Sequence, residues 1–255
     1  MTTRQAAAKS VDETGDSDLV LGVDEAGRGP ILGPMVMACV ALRPRKAAAL
    51  TRLGVMDSKR FGAGEEAHAL RSELVPRIRE AASHVEITVV DVREIDRRTR
   101  HGQLNRLEQE RATVLIRRAP PVKRIVADGE RLFAPLRSLH PRFDALDHGE
   151  EQHVAVAAAS VMAKVRRDEL WGKIAARYRP DFGVIAGGGY VNASTRAFLR
   201  AYIERFGGLP PEGRRSWPWT FASDLLGEEF NALADVPDDA PQLSLQLAPV
   251  RRAAG

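Results

Sequence analysis

Asp24 and Glu25 are adjacent carboxylates, placed where an apolar run, Leu19-Val20-Leu21-Gly22-Val23, gives way to a glycine-rich loop, Ala26-Gly27-Arg28-Gly29-Pro30. Paired acids at the end of a buried strand are a poor design for stability, because unpaired buried charge is costly. They are a good design for holding a divalent cation through oxygen. Gly27 and Gly29 let the backbone come close to a ligand, and Arg28 offers a planar fork that fits a phosphate. One Asp-Glu pair is too little for two-metal phosphodiester hydrolysis, which needs several carboxylates converging on ions about 3.5–4 Å apart. Two further acids stand at suitable points. Asp128 ends the apolar stretch Arg124-Ile125-Val126-Ala127 and precedes Gly129, and Glu150 lies just before a stretch containing Ala157-Ala158-Ala159-Ser160.

The elements that would carry these acids follow from periodicity. Leu19–Asp24 and Met35–Leu42 read as strands joined by the glycine-rich turn. Glu86–Val90 is a third strand, rich in β-branched residues, Arg124–Asp128 a fourth, and Phe143–Leu146 a fifth. Helical spacing runs through Glu65–Ala82 (Leu70, Leu74, Ile78) and through Leu104–Arg118, which Pro120-Pro121 closes. Val154–Tyr178 reads as a long helix that opens with small residues and turns basic, and Ser194–Phe206 and Phe221–Leu233 also look helical. Strands followed by strands alternating with helices give an α/β layer fold.

The chain has 255 residues, which suits one domain with an appendage. It has no apolar run of membrane-spanning length, and Met1 to Asp18 lacks the hydrophobic stretch of a secretory signal. Its single cysteine, Cys39, excludes a disulfide framework; a core position and a reducing cytoplasm are expected. The formal charge is +4; residues 1–18 carry −2 and residues 228–255 carry −3, so the body between them carries +9. A basic body with acidic ends suits a polyanion. His101, His140, His148 and His153 lack zinc spacing and read as surface or loop residues, while Asp168, next to Arg166 and Arg167, reads as a structural ion pair with them.

Gly22-Val-Asp-Glu-Ala-Gly-Arg-Gly-Pro30, continued by Ile31-Leu-Gly-Pro-Met-Val36, resembles the signature of type 2 ribonucleases H in its archaeal and eukaryotic form. The resemblance spans about Leu19 to Ala222 and is weaker over 43–120. Its longest later match is Ala157-Ala-Ala-Ser-Val-Met-Ala-Lys-Val-Arg-Arg-Asp168, which includes Lys164. The resemblance implies a ribonuclease H-like mixed sheet of about five strands flanked by helices, with a smaller C-terminal helical portion. The expected divisions are a disordered segment 1–18, a catalytic domain 19–181, a helical portion 182–234 and a disordered tail 235–255.

The same resemblance implies the site. Asp24, Glu25, Asp128 and Glu150 would hold Mg²⁺ or Mn²⁺. Glu150 is a departure, since His148-Gly149-Glu150 stands where the family usually has Lys-Gly-Asp or Lys-Ala-Asp; Asp147 and Glu151 are nearby substitutes. RNA is told from DNA by its 2′-hydroxyl. Gly27 and Gly29 would read that group, with Arg28 on the flanking phosphate. Tyr190, in Gly187-Gly-Gly-Tyr190, would pack on the deoxyribose after the ribonucleotide. Lys59, in Asp57-Ser-Lys59, would sit near the scissile phosphate, Lys164 would add a contact to nucleic acid, and Arg214 and Arg215, in Arg214-Arg-Ser-Trp217, would contact backbone phosphates or pack the last helix on the body. The expected activity is cleavage of the RNA strand of RNA–DNA hybrids and nicking of duplex DNA 5′ to embedded ribonucleotides. The rivals are a junction resolvase-like nuclease of the same fold and a non-catalytic hybrid-binding protein. In the tail, Gln242-Leu243-Ser244-Leu245-Gln246-Leu247 resembles the Gln-Leu-x-Leu-x-Leu peptide with which bacterial proteins bind the sliding clamp.

Overall fold

A computed structural model describes residues 18–62 and 64–226, without the side chains of Asp57, Ser58 and Lys59. The Lys59 side chain and the tail residues Gln242, Leu243, Leu245 and Leu247 therefore lie outside the described residues. So does most of the helix expected over Phe221–Leu233.

The elements in chain order are β1 (Val20–Ala26), β2 (Met35–Leu42), α1 (Pro44–Arg52), α2 (Glu65–Ala81), β3 (His84–Val90), α3 (Val92–Arg100) and α4 (Leu104–Arg118). There follow β4 (Arg124–Asp128), α5 (Glu130–Phe133), β5 (Phe143–Leu146), α6 (Gly149–Gln152), α7 (Val154–Phe182), α8 (Ala193–Phe206) and α9 (Ser223–Leu226). A 3₁₀ segment covers Val55–Phe61. The strands form one sheet in the order β3-β2-β1-β4-β5. β1 is antiparallel to β2 and parallel to β4, and β4 is parallel to β5. The expected mixed five-stranded sheet and the C-terminal helical portion are both present.

Period-two alternation sorts the sheet into two cores. On β2, Val36, Ala38, Val40 and Leu42 face one core with α7, whereas Met37, Cys39 and Ala41 face the other with Leu115 of α4 and Phe133 of α5. Cys39 is a buried core residue, as its apolar run implied, and burial pushes its thiol up to about 12. A third cluster joins the second half of α7 (Trp171, Ile174, Tyr178) to α8 (Phe198, Leu199, Ile203). Helix α7 thus lies on the sheet with its first half and carries the helical portion with its second.

Two differences from the sequence reading bear on the site. Strand β1 runs to Ala26 rather than ending at Asp24, because β2 goes on pairing through Asp24↔Ala38, Glu25↔Met37 and Ala26↔Val36. Its parallel register with β4 stops at Val23↔Ala127. Asp24 and Asp128 therefore each follow the last registered pair of two neighbouring parallel strands. Ligands of open α/β sheets gather in the crevice beyond such carboxyl ends. Helices α1 and α3 are additional to those expected. The first turn of α3 is capped by Asp91, whose side chain accepts from Glu94 N at 2.9 Å.

Gly22 sets the distance between β1 and α7. A Cβ at this position would lie 2.1 Å from the carbonyl carbon of Ala155. Small residues on both elements allow this approach, which brings Ser160 of α7 to Asp24. We expect Gly22→Ala to cost about 3 kcal/mol in urea unfolding, at the upper end of overpacking losses. An unchanged unfolding midpoint would mean that α7 does not approach β1 this closely.

Candidate active site

The four acids singled out in the sequence converge at the carboxyl ends of β1 and β4. Asp24 is 4 % exposed; its Oδ1 accepts from Glu25 N at 2.7 Å, and the Ser160 hydroxyl donates to the same carboxylate. Asp128 Oδ1 accepts from Gly149 N at 2.7 Å, which ties the end of β4 to the start of α6. Glu150, the second residue of α6, is buried and lines a pocket of about 300 Å³ together with Glu25. Asp147 is exposed and turned elsewhere: its Oδ1 accepts from Glu130 N at 2.8 Å at the start of α5.

The electrostatics register the crowding. Burial, then the neighbouring charges of Glu25 and Asp128, hold the Asp24 carboxyl well above its ordinary range. Burial and Asp128 push Glu25 up to about 7, with Arg28 opposing and Glu150 adding to the rise. Glu25 Oε2 is buried and has no hydrogen-bond partner among the described residues. Buried carboxylates that repel one another, one of them with an unmet oxygen, are a donor set suited to a hard cation. His148, at a left-handed φ of 56°, adds to it: its ring, Glu150 and Glu151 offer ligand atoms within 4.8 Å of one another.

The rim of the pocket is built from three segments. The first is Gly27-Arg28-Gly29-Pro30, the second is one face of α7 (Ser160, Val161, Lys164, Arg167), and the third is the loop with Gly188 and Tyr190. Tyr190 is 50 % exposed and stands beside Gly29, where an added Cβ would lie 3.3 Å from its ring. Gly189 O accepts from the amides of Ile31 at 3.0 Å and Leu32 at 3.2 Å, which docks this loop on the first. Lys164 reaches the pocket while its Nζ donates to Asp168 Oδ1 at 2.6 Å. Asp168 is thus in an ion pair, as expected, but its partner is Lys164. Arg166 instead pairs with Glu169, and Arg167 turns inward, because position i+4 on a helix is the near neighbour of a side chain and i−1 is not.

Two arginines behave differently from the expectation. Arg214 is 0 % exposed, so it cannot contact a nucleic acid phosphate. It donates from Nε to Gly33 O at 2.9 Å, from Nη1 to Arg28 O at 2.6 Å and from Nη2 to Gly27 O at 2.5 Å. Burial and the nearby Arg167 push it down to about 9. Arg28 is only partly available: it forms an ion pair with Glu108 and donates to Asn105 Oδ1 at 2.7 Å, both on α4. Arg215 is exposed, and its amide donates to Asp96 Oδ2 at 2.9 Å.

Sequence reasoning missed Arg71, Asp96, Glu108 and the inward role of Arg167. Signals existed for two of them. Ser160, Lys164 and Arg167 share one helical face, and Glu108 interrupts the apolar stripe of Leu104, Ala112 and Leu115. Arg71 and Asp96 carry no local mark.

The family model for ribonuclease HII matches residues 21–220. The chain belongs to the ribonuclease HII family. Ribonuclease HII of Thermococcus sibiricus is 35% identical over 205 residues, which cover 77% of this chain and 87% of the relative. The crystal structure of ribonuclease H2 from Pyrococcus horikoshii OT3 superposes with a TM-score of 0.69 at 28% identity, over 84% of this chain and 99% of that one. Ribonuclease HII of Archaeoglobus fulgidus, solved as its complex with PCNA, gives a TM-score of 0.66 at 30% identity, over 78% of this chain and 95% of that one. Ribonucleases HII hydrolyse the RNA of RNA–DNA hybrids, so this chain is a ribonuclease H.

The raised carboxyl of Glu25 has a consequence for stability. A carboxylate whose folded value of about 7 lies above its ordinary 4.5 stabilises the fold fully below pH 4.5 and loses that contribution as pH rises through 7. In EDTA, Glu25→Gln is expected to be more stable than wild type at pH 8, by about 3 kcal/mol at most, and no more stable at pH 4. Equal melting temperatures at pH 8 would mean that the ionised carboxylate is not strained in the metal-free fold.

Proposed function

We propose that this ribonuclease H nicks duplex DNA on the 5′ side of embedded ribonucleotides as well as cleaving longer hybrids, with Asp24, Glu25, Asp128 and Glu150 holding Mg²⁺ or Mn²⁺. The observation that supports this most directly is the meeting of four acids beside the Gly27–Gly29 loop and Tyr190. Asp24, Glu25 and Asp128 stand at the ends of β1 and β4 and Glu150 on α6, and the pocket that Glu25 and Glu150 line is rimmed by Gly27–Gly29 with Tyr190 beside them. Bound ions would activate the attacking water and neutralise the charge that develops on the leaving oxygen.

The chain's own residues supply the rest. Gly27 and Gly29 present backbone groups without side chains to the 2′-hydroxyl. Tyr190 beside Gly29 packs on the following deoxyribose, so the step from RNA to DNA is read as a pair of adjacent sugars. Lys164, and Arg28 with the donors that Glu108 and Asn105 leave, attract the flanking phosphates; the exposed Arg215 and the Lys59 loop would extend this contact. A P–O bond forms from water as the P–O3′ bond breaks, leaving a 3′-hydroxyl and a 5′-phosphate, with no covalent intermediate. Burial of Glu150 and diversion of Asp147 to α5 favour Glu150 as the fourth ligand.

The test is metal-dependent nicking of a duplex containing one ribonucleotide, with an all-DNA duplex as control. Asp128→Asn should nearly abolish cleavage while hybrid binding is kept or tightened, because a charge that repels phosphate is removed. Glu150→Ala should be severely impaired and Asp147→Ala near wild type; the reverse pattern would move the fourth ligand to Asp147. Cleavage of the all-DNA duplex would favour a resolvase-like nuclease.

The tail peptide Gln242–Leu247 is proposed to dock on a sliding clamp. Support comes from its resemblance to clamp-binding peptides and from the Archaeoglobus fulgidus relative, solved in complex with PCNA. Removing residues 236–255 should leave nicking of short duplexes unchanged, and a 236–255 peptide should bind the clamp at micromolar concentration. Binding that is indifferent to Leu245→Ala and Leu247→Ala would exclude the peptide as the docking element.

A further inference from the structure

Arg71 is a charged side chain that the proposed chemistry does not use. It lies on α2, is 7 % exposed, and lines the same pocket as Glu25, Glu150 and Lys164. Burying a guanidinium is costly unless its hydrogen bonds and charge are answered. Two of its donors are answered by carbonyls: Nη1 donates to Ala67 O at 3.3 Å and Nη2 to Gly62 O at 2.8 Å. Carbonyls leave its charge uncompensated among the described residues. The nearby carboxylate is Asp168, and that group is already engaged by Lys164 Nζ at 2.6 Å and faced by His68 Nδ1 at 3.7 Å. Arg71 and Lys164 together therefore bring two fixed positive charges to one wall of the pocket against one carboxylate.

A guanidinium has five donors in a rigid fork, and the two carbonyl contacts orient that fork. Arg28 supplies no such excess on its side, since its charge is matched by the fully buried Glu108. Among the described residues Arg71, on α2, is thus a pocket cation less matched by carboxylate than Arg28, in an element unrelated to the Gly-Arg-Gly loop, whereas Arg167 is turned to the carbonyls of Leu32 and Gly188.

We infer that Arg71 is a substrate-binding residue, and that with Lys164 it forms a subsite for one backbone phosphate of the bound strand, distinct from the phosphate approached by Arg28. The inference rests on the reading of the site as one for ribonucleotide-containing duplexes. Its second contact, Gly62 O, lies just after the 3₁₀ segment Val55–Phe61, so the same side chain also ties the end of that segment to α2. A purely structural brace would make the two carbonyl contacts and nothing more, and salt dependence separates the two roles.

The experiment uses the full chain and a duplex with one ribonucleotide. Binding is measured in EDTA across a KCl series, and nicking kinetics are measured with Mg²⁺. Arg71→Met should lower the slope of log K against log salt by about 1, the signature of one lost phosphate contact. It should raise KM about tenfold at physiological salt, with a smaller fall in kcat, as expected for loss of a charge-assisted hydrogen bond. Arg71→Lys should keep the wild-type slope with a KM raised about threefold, because a point charge replaces the fork. Methylphosphonate placed at each phosphate around the ribonucleotide in turn should identify one position where wild type and variant become equal. If Arg71→Met fails to fold, the same scan with Arg71→Lys makes the comparison.

A folded Arg71→Met chain with wild-type slope and KM would overturn the inference, as would a scan in which no single phosphate equalises the enzymes. A wild-type chain that neither binds nor nicks the duplex would overturn the reading beneath it as well. Wild-type nicking together with an unaffected Arg71→Met chain would overturn the inference alone.

Discussion

The two loops that rim the pocket depend on two buried arginines. Arg167 and Arg214 are buried, and they spend their donors on backbone carbonyls of the glycine-rich loop and its neighbours. Arg214 takes Gly27, Arg28 and Gly33; Arg167 takes Leu32 at 2.9 Å and Gly188 at 2.8 Å. A carbonyl that is bound from behind fixes the plane of its peptide, and hence the direction of the next amide. The two guanidiniums thereby set the shape of Gly27–Gly29 and the position of the Gly188–Tyr190 loop at once. The rings of Trp217, 4.8 Å from Arg214, and Trp171, 5.6 Å from Arg167, add cation–π attraction that helps two like charges stay buried together.

Their lever arms are long. Asp96 of α3 accepts from the amides of Arg215 and Ser216, each at 2.9 Å, and so anchors the segment that delivers Arg214. The Trp217 indole returns to Gly29 O at 3.2 Å. Gly27 has a φ of 86° and no room for a side chain, since a Cβ would meet Arg167 Nε at 2.9 Å. The glycine thus leaves room for the arginine behind it.

The carboxylates show the opposite economy. Their burial and mutual repulsion work against the fold, as the raised Asp24 and Glu25 show. The opposition is contained by local means: the Glu25 amide and Ser160 on Asp24, the Gly149 amide on Asp128, and the charge of Arg28 near Glu25. A cation would relieve what these contacts only limit. The carboxyl ends of β1 and β4, where their parallel pairing stops, are where the chain can tolerate the conflict.

Much of this was legible in the sequence because it is local. Apolar and β-branched runs marked the sheet, β2, β4 and β5 with the expected boundaries, and small residues marked the start of α7, the part that meets Gly22. Asp24 and Asp128 were readable because each ends an apolar run, whereas Glu150 was placed only through the family resemblance, by register from the Ala157–Asp168 match. Helix α3 was not read, although Asp91 and Glu94 give its capping signature, because its short charged sequence has few apolar positions. What only the tertiary structure decided is which partner each charge takes. Arg214 and Gly27 are 187 residues apart, Arg28 and Glu108 are 80 apart, and nothing near either arginine announces whether it will face water, phosphate or a carbonyl. Propensity and periodicity act over a few residues, whereas the partner of a buried charge is set by whichever distant segment the fold brings within hydrogen-bond reach.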